Sequence, residues 1–285
     1  VDFRNVVIIM TSNLGSGHIL DVTLDPEQLR ERVMDVLETV GLESYYERGA
    51  SALSGGQMQR VALARSLVMQ PGVLLLDEPL SNLDARLRDK LRFELRAIQQ
   101  RYDLTSVYVT HDQSEALALA DQIAVMQNGK VAQLGGPEEI YRNPSSRYVA
   151  EFLGVENLQE SKVIEVDGST ARVTLAGSDA TLAGKVGPQG ASNIAARQKV
   201  TTCIRAEDIE ITAISDHDED LERGENVVHG TVEVASFLGD KVAYLVRDGR
   251  GAPFYVNVAP VRDVVAPGTA VRLQIPVDRV QVLQS

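Results

Sequence analysis

Asp77 and Glu78 stand side by side at the end of an apolar run, Val73-Leu74-Leu75-Leu76, and Pro79 follows them. A strand that ends in two carboxylates can hold a magnesium ion with the first and polarise an attacking water with the second. That is the chemistry of ATP hydrolysis. An acidic turn after a strand accounts for one such carboxylate equally well. Ser81-Asn82-Leu83-Asp84 comes next. A second run, Val107-Tyr108-Val109-Thr110, delivers His111 at its C-terminal end, where sites on parallel sheets lie. A lone histidine there is more often structural. Upstream, Leu53-Ser54-Gly55-Gly56-Gln57 opens a stretch rich in small apolar residues. Two glycines at a helix start let backbone amides approach an anion, and the helix dipole adds positive potential. Ser54 adds a hydroxyl, although Ser-Gly-Gly is also an ordinary helix cap.

The surrounding pattern supplies elements that can position these residues. Residues 6–10, VVIIM, read as a buried parallel strand. Asp25-Pro26-Glu27-Gln28 combines a cap, a proline for the first helical position and a capping-box glutamine. It opens a helix over 26–40 whose apolar face is Leu29, Val33, Val36, Leu37 and Val40, and Gly41 ends it. Ser54 caps a helix that runs to about Met69, before Pro71-Gly72. Residues 73–76 read as a buried strand. Residues 85–101 form an amphipathic helix with Leu87, Leu91, Leu95 and Ile98 on one stripe. Residues 105–110 form a strand, and Asp112 and Glu115 cap a helix through Leu119. Asn128-Gly129 signals a hairpin between 123–126 and 130–134. Two short helices follow, opened by Pro137 and spanning 145–153. After Gly154, short alternating runs separated by turn residues indicate a small all-β barrel or sandwich. The domain boundary is therefore expected near residue 155.

Bulk composition limits the function classes. The net charge is −12, and no basic stripe is present to replace counterions around phosphates, so nucleic-acid binding is not expected. The single cysteine, Cys203, cannot close an intrachain disulfide and sits in an apolar alternation as a small core residue. The four histidines, at 18, 111, 217 and 229, show no metal-ligand spacing. No stretch approaches ~18 uninterrupted apolar residues, so no segment spans a membrane. A role at a membrane would run through a partner.

Order and spacing together resemble one family. Leu53-Ser54-Gly55-Gly56-Gln57 resembles the signature of ABC-type ATPases and residues 73–78 their Walker B strand. Residues 81–84 resemble the D-loop, and His111 the switch histidine. Further on, Ile204-Arg205-Ala206-Glu207-Asp208-Ile209 and Ser236-Phe237-Leu238-Gly239-Asp240 resemble the TOBE-type domain of maltose, polyamine and ferric-iron importers. Lys130-Val131-Ala132-Gln133-Leu134-Gly135 and residues 137–144 fit the same group, closest to its polyamine and iron branches. The resemblance covers roughly residues 37–285. It implies an α/β chain: a truncated P-loop NTPase domain of ABC type with a helical signature region, then a small all-β, OB-like TOBE domain. It also implies roles. Asp77 would bind Mg2+ through water, Glu78 would be the catalytic base, and His111 would sense the γ-phosphate of ATP. Ser54, Gly55, Gly56 and Gln57 would contact ATP held by the opposite subunit of a homodimer or second ATPase subunit, with Asp84 at that interface. The partners implied are transmembrane permease subunits, at the cytoplasmic face of the cell membrane.

The family's phosphate loop, G-x-x-x-x-G-K-[ST], does not occur in these 285 residues. Gly15-Ser16-Gly17-His18 has no lysine. Gly184-Lys185 is followed by Val186 and has no glycine at the required distance. Residues 1–16 instead resemble the sensor-1 strand of Clp-family AAA+ disaggregases, with Asn13 at that family's phosphate-sensing position. The organisation expected is an AAA+-like segment over 1–20, a truncated ABC ATPase domain over 21–155 and a TOBE domain over 156–285. Residues 6–10 are expected to fill a vacant sheet position beside 73–76. Three readings follow: an importer ATPase subunit impaired by the missing loop, a non-catalytic docking or regulatory module, and an AAA+ unfoldase fragment.

Overall fold

The structure is a computed structural model that describes residues 7–11, 25–49, 52–68, 71–81, 85–101, 103–187, 194–214, 225–261 and 263–284. It divides into two compact units, Val1–Ile140 and Tyr141–Ser285.

In the first unit, β1 (Val7–Thr11), β2 (Leu74–Asp77), β3 (Ser106–Thr110), β4 (Gln122–Gln127) and β5 (Lys130–Gly135) form one sheet, ordered β2-β3-β1-β4-β5. Helices α1 (Pro26–Thr39), α2 (Gly55–Val68), α3 (Ala85–Arg101) and α4 (Gln113–Leu119) accompany it. β2 and β3 pair in parallel, with α3 as the crossover such a pair requires. β4 and β5 form the expected hairpin around Asn128 (φ 50°) and Gly129 (φ 76°), the two positive angles of a tight primed turn.

The first helix forms as its residues dictate. Asp25 accepts from the Glu27 and Gln28 amides, and Gln28 returns a bond to the Asp25 amide. At the other end Gly41 takes φ +64°, and the Leu42 amide reaches back to the Leu37 carbonyl at 2.7 Å. This left-handed stop satisfies carbonyls that the helix leaves unpaired. Val36, Val40 and Leu42 then pack with Ala64, Leu67, Leu74 and Ile98 in the unit's core.

Two expectations need correction here. The strand at 7–11 does enter the sheet, but between β3 and β4 rather than beside β2, and it runs antiparallel to both. An unbroken β-branched run suits a two-faced strand in either direction, so its residues carry no information on polarity. The seat is the one where two neighbouring edges both need a partner. The second correction concerns β2, read as buried on both faces. Leu74 is buried, but Leu75 is 73% exposed and Val73 is 50% exposed. β2 lies at the sheet edge, and among the described residues only one of its faces is covered.

The second unit is almost all strand. β6 (Asn157–Asp167), β7 (Thr170–Leu175), β8 (Thr181–Val186), β9 (Lys199–Ile204) and β15 (Gln281–Gln284) close into a barrel, ordered β15-β8-β7-β6-β9. β10 (Glu210–Ala213), β11 (Val227–Phe237), β12 (Val242–Asp248), β13 (Pro253–Val258) and β14 (Ala270–Gln274) form a sheet, ordered β10-β14-β11-β12-β13. One apolar core runs through both, including Leu182, Ile204, Phe254 and Leu273. Cys203 is buried as expected, and burial pushes its thiol up to about 12. The end of α5 (Pro137–Arg142) and all of α6 (Arg147–Phe152) belong to this unit. Its start therefore precedes the change of sequence character near Gly154. The acidic run at 216–220 lies outside the described residues.

β8 escapes the sequence reading because Gly184 interrupts its alternation. The structure supplies the reason for that glycine. A Cβ at 184 would stand 2.5 Å from Val280 Cγ1 and 2.8 Å from the Val280 carbonyl oxygen, so the strand needs a residue without a side chain for this close approach. Gly184→Ala is expected to destabilise the second unit by about 1–3 kcal/mol, read as a lowered urea midpoint. An unchanged midpoint would mean that the Val280 turn yields freely.

Candidate nucleotide site

β2 and β3 run in the same direction and end side by side. Asp77 closes β2, paired with Val109, and the Glu78 amide donates to the Val109 carbonyl at 2.8 Å. Glu78 adopts φ +43°, a left-handed conformation costing a non-glycine residue about 1–3 kcal/mol. Its carbonyl is held by Ser81, whose hydroxyl and amide donate at 2.9 and 3.3 Å. The strained turn brings the Glu78 carboxylate to 2.9 Å from His111 Nδ1. Both side chains remain open, 43% and 65% exposed. The structure thus brings together a carboxylate and an imidazole that lie 33 residues apart. Asp77 is exposed beside them.

Behind His111 lies a polar network that the sequence reading missed. Asp112 caps α4, accepting from the Ser114 and Glu115 amides, and Arg88 pairs with it at 3.3 Å. Burial opposes its ionisation, yet hydrogen bonds from Ser114 and from the two amides hold its carboxyl below the usual range. Glu115 does not cap, as its place in the first turn suggests. It turns inward, is almost fully buried, and accepts from Tyr108 Oη and Thr110 Oγ1, each at 2.8 Å. Burial, and then the nearby Glu115 charge, push the Tyr108 hydroxyl far above its ordinary range, so it stays a donor. The signal for this role is the alternation of β3, which buries Ser106, Tyr108 and Thr110 on one face. Three buried hydroxyls require an acceptor.

The signature segment starts α2 with a reciprocal cap. Gln57 N donates to Ser54 Oγ at 3.3 Å, and Ser54 N donates to Gln57 Oε1 at 2.8 Å. Gly56 is buried, whereas a Cβ placed on Gly55 would meet nothing within 4 Å. This end of the helix therefore presents bare backbone to open space. Ser54 and Gln57 bond to each other and not to the Glu78–His111 pair. One turn further on, Gln59 and Arg60 line a cavity of about 320 Å³ together with Asp77, Glu78, Leu63, Leu76 and Leu91. Asn82, Leu83 and Asp84 lie outside the described residues, as do Asn13, His18 and His217.

The pairing of β1 fixes where the chain leaves it. Val7 lies opposite Thr110 and Thr11 opposite Ser106. The chain therefore leaves β1 at the end of the sheet opposite to Glu78 and His111.

Comparison with known proteins places these features in a family. The ABC transporter model matches residues 4–81 and the TOBE domain model residues 202–283. The first match takes in β1 together with the signature and Walker B segments. The Fe(3+) ions import ATP-binding protein FbpC of Rhizobium etli is 42% identical over 241 residues, 85% of this chain and 64% of the relative. FbpC 1 of Pectobacterium atrosepticum is 37% identical over 276 residues, 96% of this chain and 72% of the relative. The spermidine/putrescine import ATP-binding protein PotA 1 of Pseudomonas aeruginosa is 41% identical over 233 residues, 81% of this chain and 59% of the relative. This chain thus spans just under two thirds of the length of the Rhizobium protein. The two domain matches, and the Pectobacterium relative covered over most of its length, show that the chain belongs to the family of ABC transporter ATP-binding proteins with a C-terminal TOBE domain.

Proposed function

We propose that this chain is an ATP-binding and ATP-hydrolysing subunit of an ABC-type importer, working as a dimer on permease subunits at the cytoplasmic membrane face. The observation that carries the reading is the Glu78–His111 contact at 2.9 Å at the common end of β2 and β3, with Asp77 adjacent. In that arrangement Glu78 holds a base at the attacking water and His111 reads the terminal phosphate. The donor set suits Mg2+, which is usually held by one or two carboxylates plus nucleotide phosphates and waters. Asp77 is the carboxylate that fits, and a bound ion would neutralise phosphate charge. The relatives named for ferric-iron and polyamine import support an importer. No helix among the described residues is long and apolar enough to cross a membrane, in keeping with attachment through a permease.

The finer reading is that this chain by itself holds ATP poorly. Backbone amides and a lysine of a phosphate loop normally enclose the phosphates. These residues contain no such segment, and the direction of β1 leads away from Glu78 and His111. The same direction of β1 favours a second reading, a docking or regulatory module in which Ser54, Gly55, Gly56 and Gln57 serve only a partner's ATP.

Titration with a fluorescent ATP analogue, with and without Mg2+, tests both. The chain alone is expected to bind more than about 100-fold more weakly than an intact family subunit, a loss of roughly 3 kcal/mol. Mixing the two is expected to restore binding at the composite site. Low-micromolar binding by the chain alone would refute the impairment. No effect of mixing would refute the half-site.

A further inference from the structure

We propose that Glu115 is a positioning residue for His111, acting through Thr110 and Asp112 on either side of it. The inference rests on the reading of His111 as the phosphate-sensing residue, and gives that residue a fixed mount. His111 is 65% exposed, and the side chain it bonds is Glu78, itself open to solvent. A side chain so open cannot be held by packing, so its direction depends on the backbone of Thr110 and Asp112. Both neighbours are tied to Glu115, Thr110 through the buried carboxylate and Asp112 through the backbone amide. Thr110 Oγ1 donates to Glu115 Oε2 at 2.8 Å and accepts from the Asp112 amide at 3.0 Å. The Asp112 carboxylate in turn accepts from the Glu115 amide at 3.1 Å. The loop around His111 is closed at both ends by a residue four positions later, and Arg88 anchors Asp112 from α3 at 3.3 Å.

Tyr108 makes the arrangement testable. Its hydroxyl also donates to Glu115 Oε2, at 2.8 Å, but lies off the route to His111. If the network only stabilises the fold, losing the Tyr108 hydroxyl should matter as much as losing that of Thr110. If it positions His111, the two losses should differ. A glutamine at 115 can place its carbonyl oxygen at Oε2 and accept from both hydroxyls, so it should substitute for the carboxylate.

The experiment is NMR of the full chain labelled with 15N,13C-histidine, without nucleotide, with His111 signals assigned by their loss in His111→Asn. The readout is the displacement of the His111 ring shifts caused by Glu78→Gln, which reports the Glu78–His111 contact. In Thr110→Val and Glu115→Ala backgrounds this displacement is expected to fall at least twofold. In Glu115→Gln and Tyr108→Phe it is expected to stay as in the parent. An undiminished displacement in Thr110→Val would overturn the proposal, as would an equal loss in all four backgrounds. Should Glu115→Ala fail to fold, Thr110→Val and Glu115→Gln decide the question between them. Because no ATP is present, failure of the mixing experiment would sink the half-site reading and leave this result standing.

Discussion

Gly55→Asp is expected to abolish the rescue predicted for mixing this chain with an intact family subunit, while leaving its own fold unchanged. A Cβ at position 55 meets nothing within 4 Å, and position 55 is the first residue of α2. An acidic side chain there is favoured by the helix dipole by about 0.3–1 kcal/mol, so the variant should be as stable as the parent or slightly more so. The same carboxylate would occupy the open space before the helix, where the half-site reading puts the phosphates of the partner's ATP. Removing one well-placed donor to a developing negative charge costs about 10²–10³ in rate, and replacing it with a like charge should cost no less. The measurement is ATP hydrolysis by the mixture, with thermal denaturation of the variant as control. A decisive contrast is Glu78→Gln in this chain. It should leave the partner's site at the parental rate, because that site uses the partner's own Walker B strand. If Gly55→Asp supports parental rates, the signature segment is not at the composite site. If Glu78→Gln abolishes hydrolysis while Gly55→Asp does not, this chain is hydrolysing ATP itself and the impairment reading fails.

The second large effect is expected in the β-rich unit, at Arg205. This guanidinium is 8% exposed, donates twice to the Tyr141 carbonyl at 2.7 and 3.2 Å and to the Leu153 carbonyl at 3.3 Å, and stacks on the Tyr141 ring. The Tyr141 hydroxyl donates to Glu207 at 2.5 Å, and burial followed by that bond pushes it up to about 12. Arg205 therefore ties residues 141 and 153 to the barrel, beside the apolar cluster of Ala150, Val155, Cys203 and Leu283. Arg205→Met keeps the aliphatic length but leaves the carbonyls without their donors. The expected loss is about 3 kcal/mol. Arg205→Lys should recover little, because a single ammonium cannot span both carbonyls or stack in the same way. Urea denaturation followed by tyrosine fluorescence checks this. A loss within about 0.5 kcal/mol, the range of an ordinary surface substitution, would show that the helices are held by their apolar contacts.

Much of the local structure was legible from the residues. The capping box at Asp25 and Gln28, the Gly41 stop, the Asn128-Gly129 turn and the buried stripe of Leu91, Leu95 and Ile98 are short-range devices, and the structure contains each of them. They were readable because hydrogen bonds three or four residues apart and positive-φ preferences are local physics. So was the succession of a carboxylate pair at one strand end, a histidine at another and a β-rich domain after them. What lay beyond reach was anything requiring a choice of partner. The residues of β1 favour a buried strand, but only the neighbouring edges of β3 and β4 decided its seat and its antiparallel direction. Glu115 has the spacing of a capping residue. It became a buried acceptor because β3 turns Tyr108 and Thr110 toward it. Gly184 carried no structural reading from the sequence; the approach of Val280 gives it one. The contact between Glu78 and His111 likewise exists only because β2 and β3 pair in parallel and finish together. The sequence by itself determined which side chains of this protein could do chemistry and which local elements carry them. The tertiary structure alone decided which of them meet, because strand order and direction are set by long-range pairing energies that no local pattern encodes.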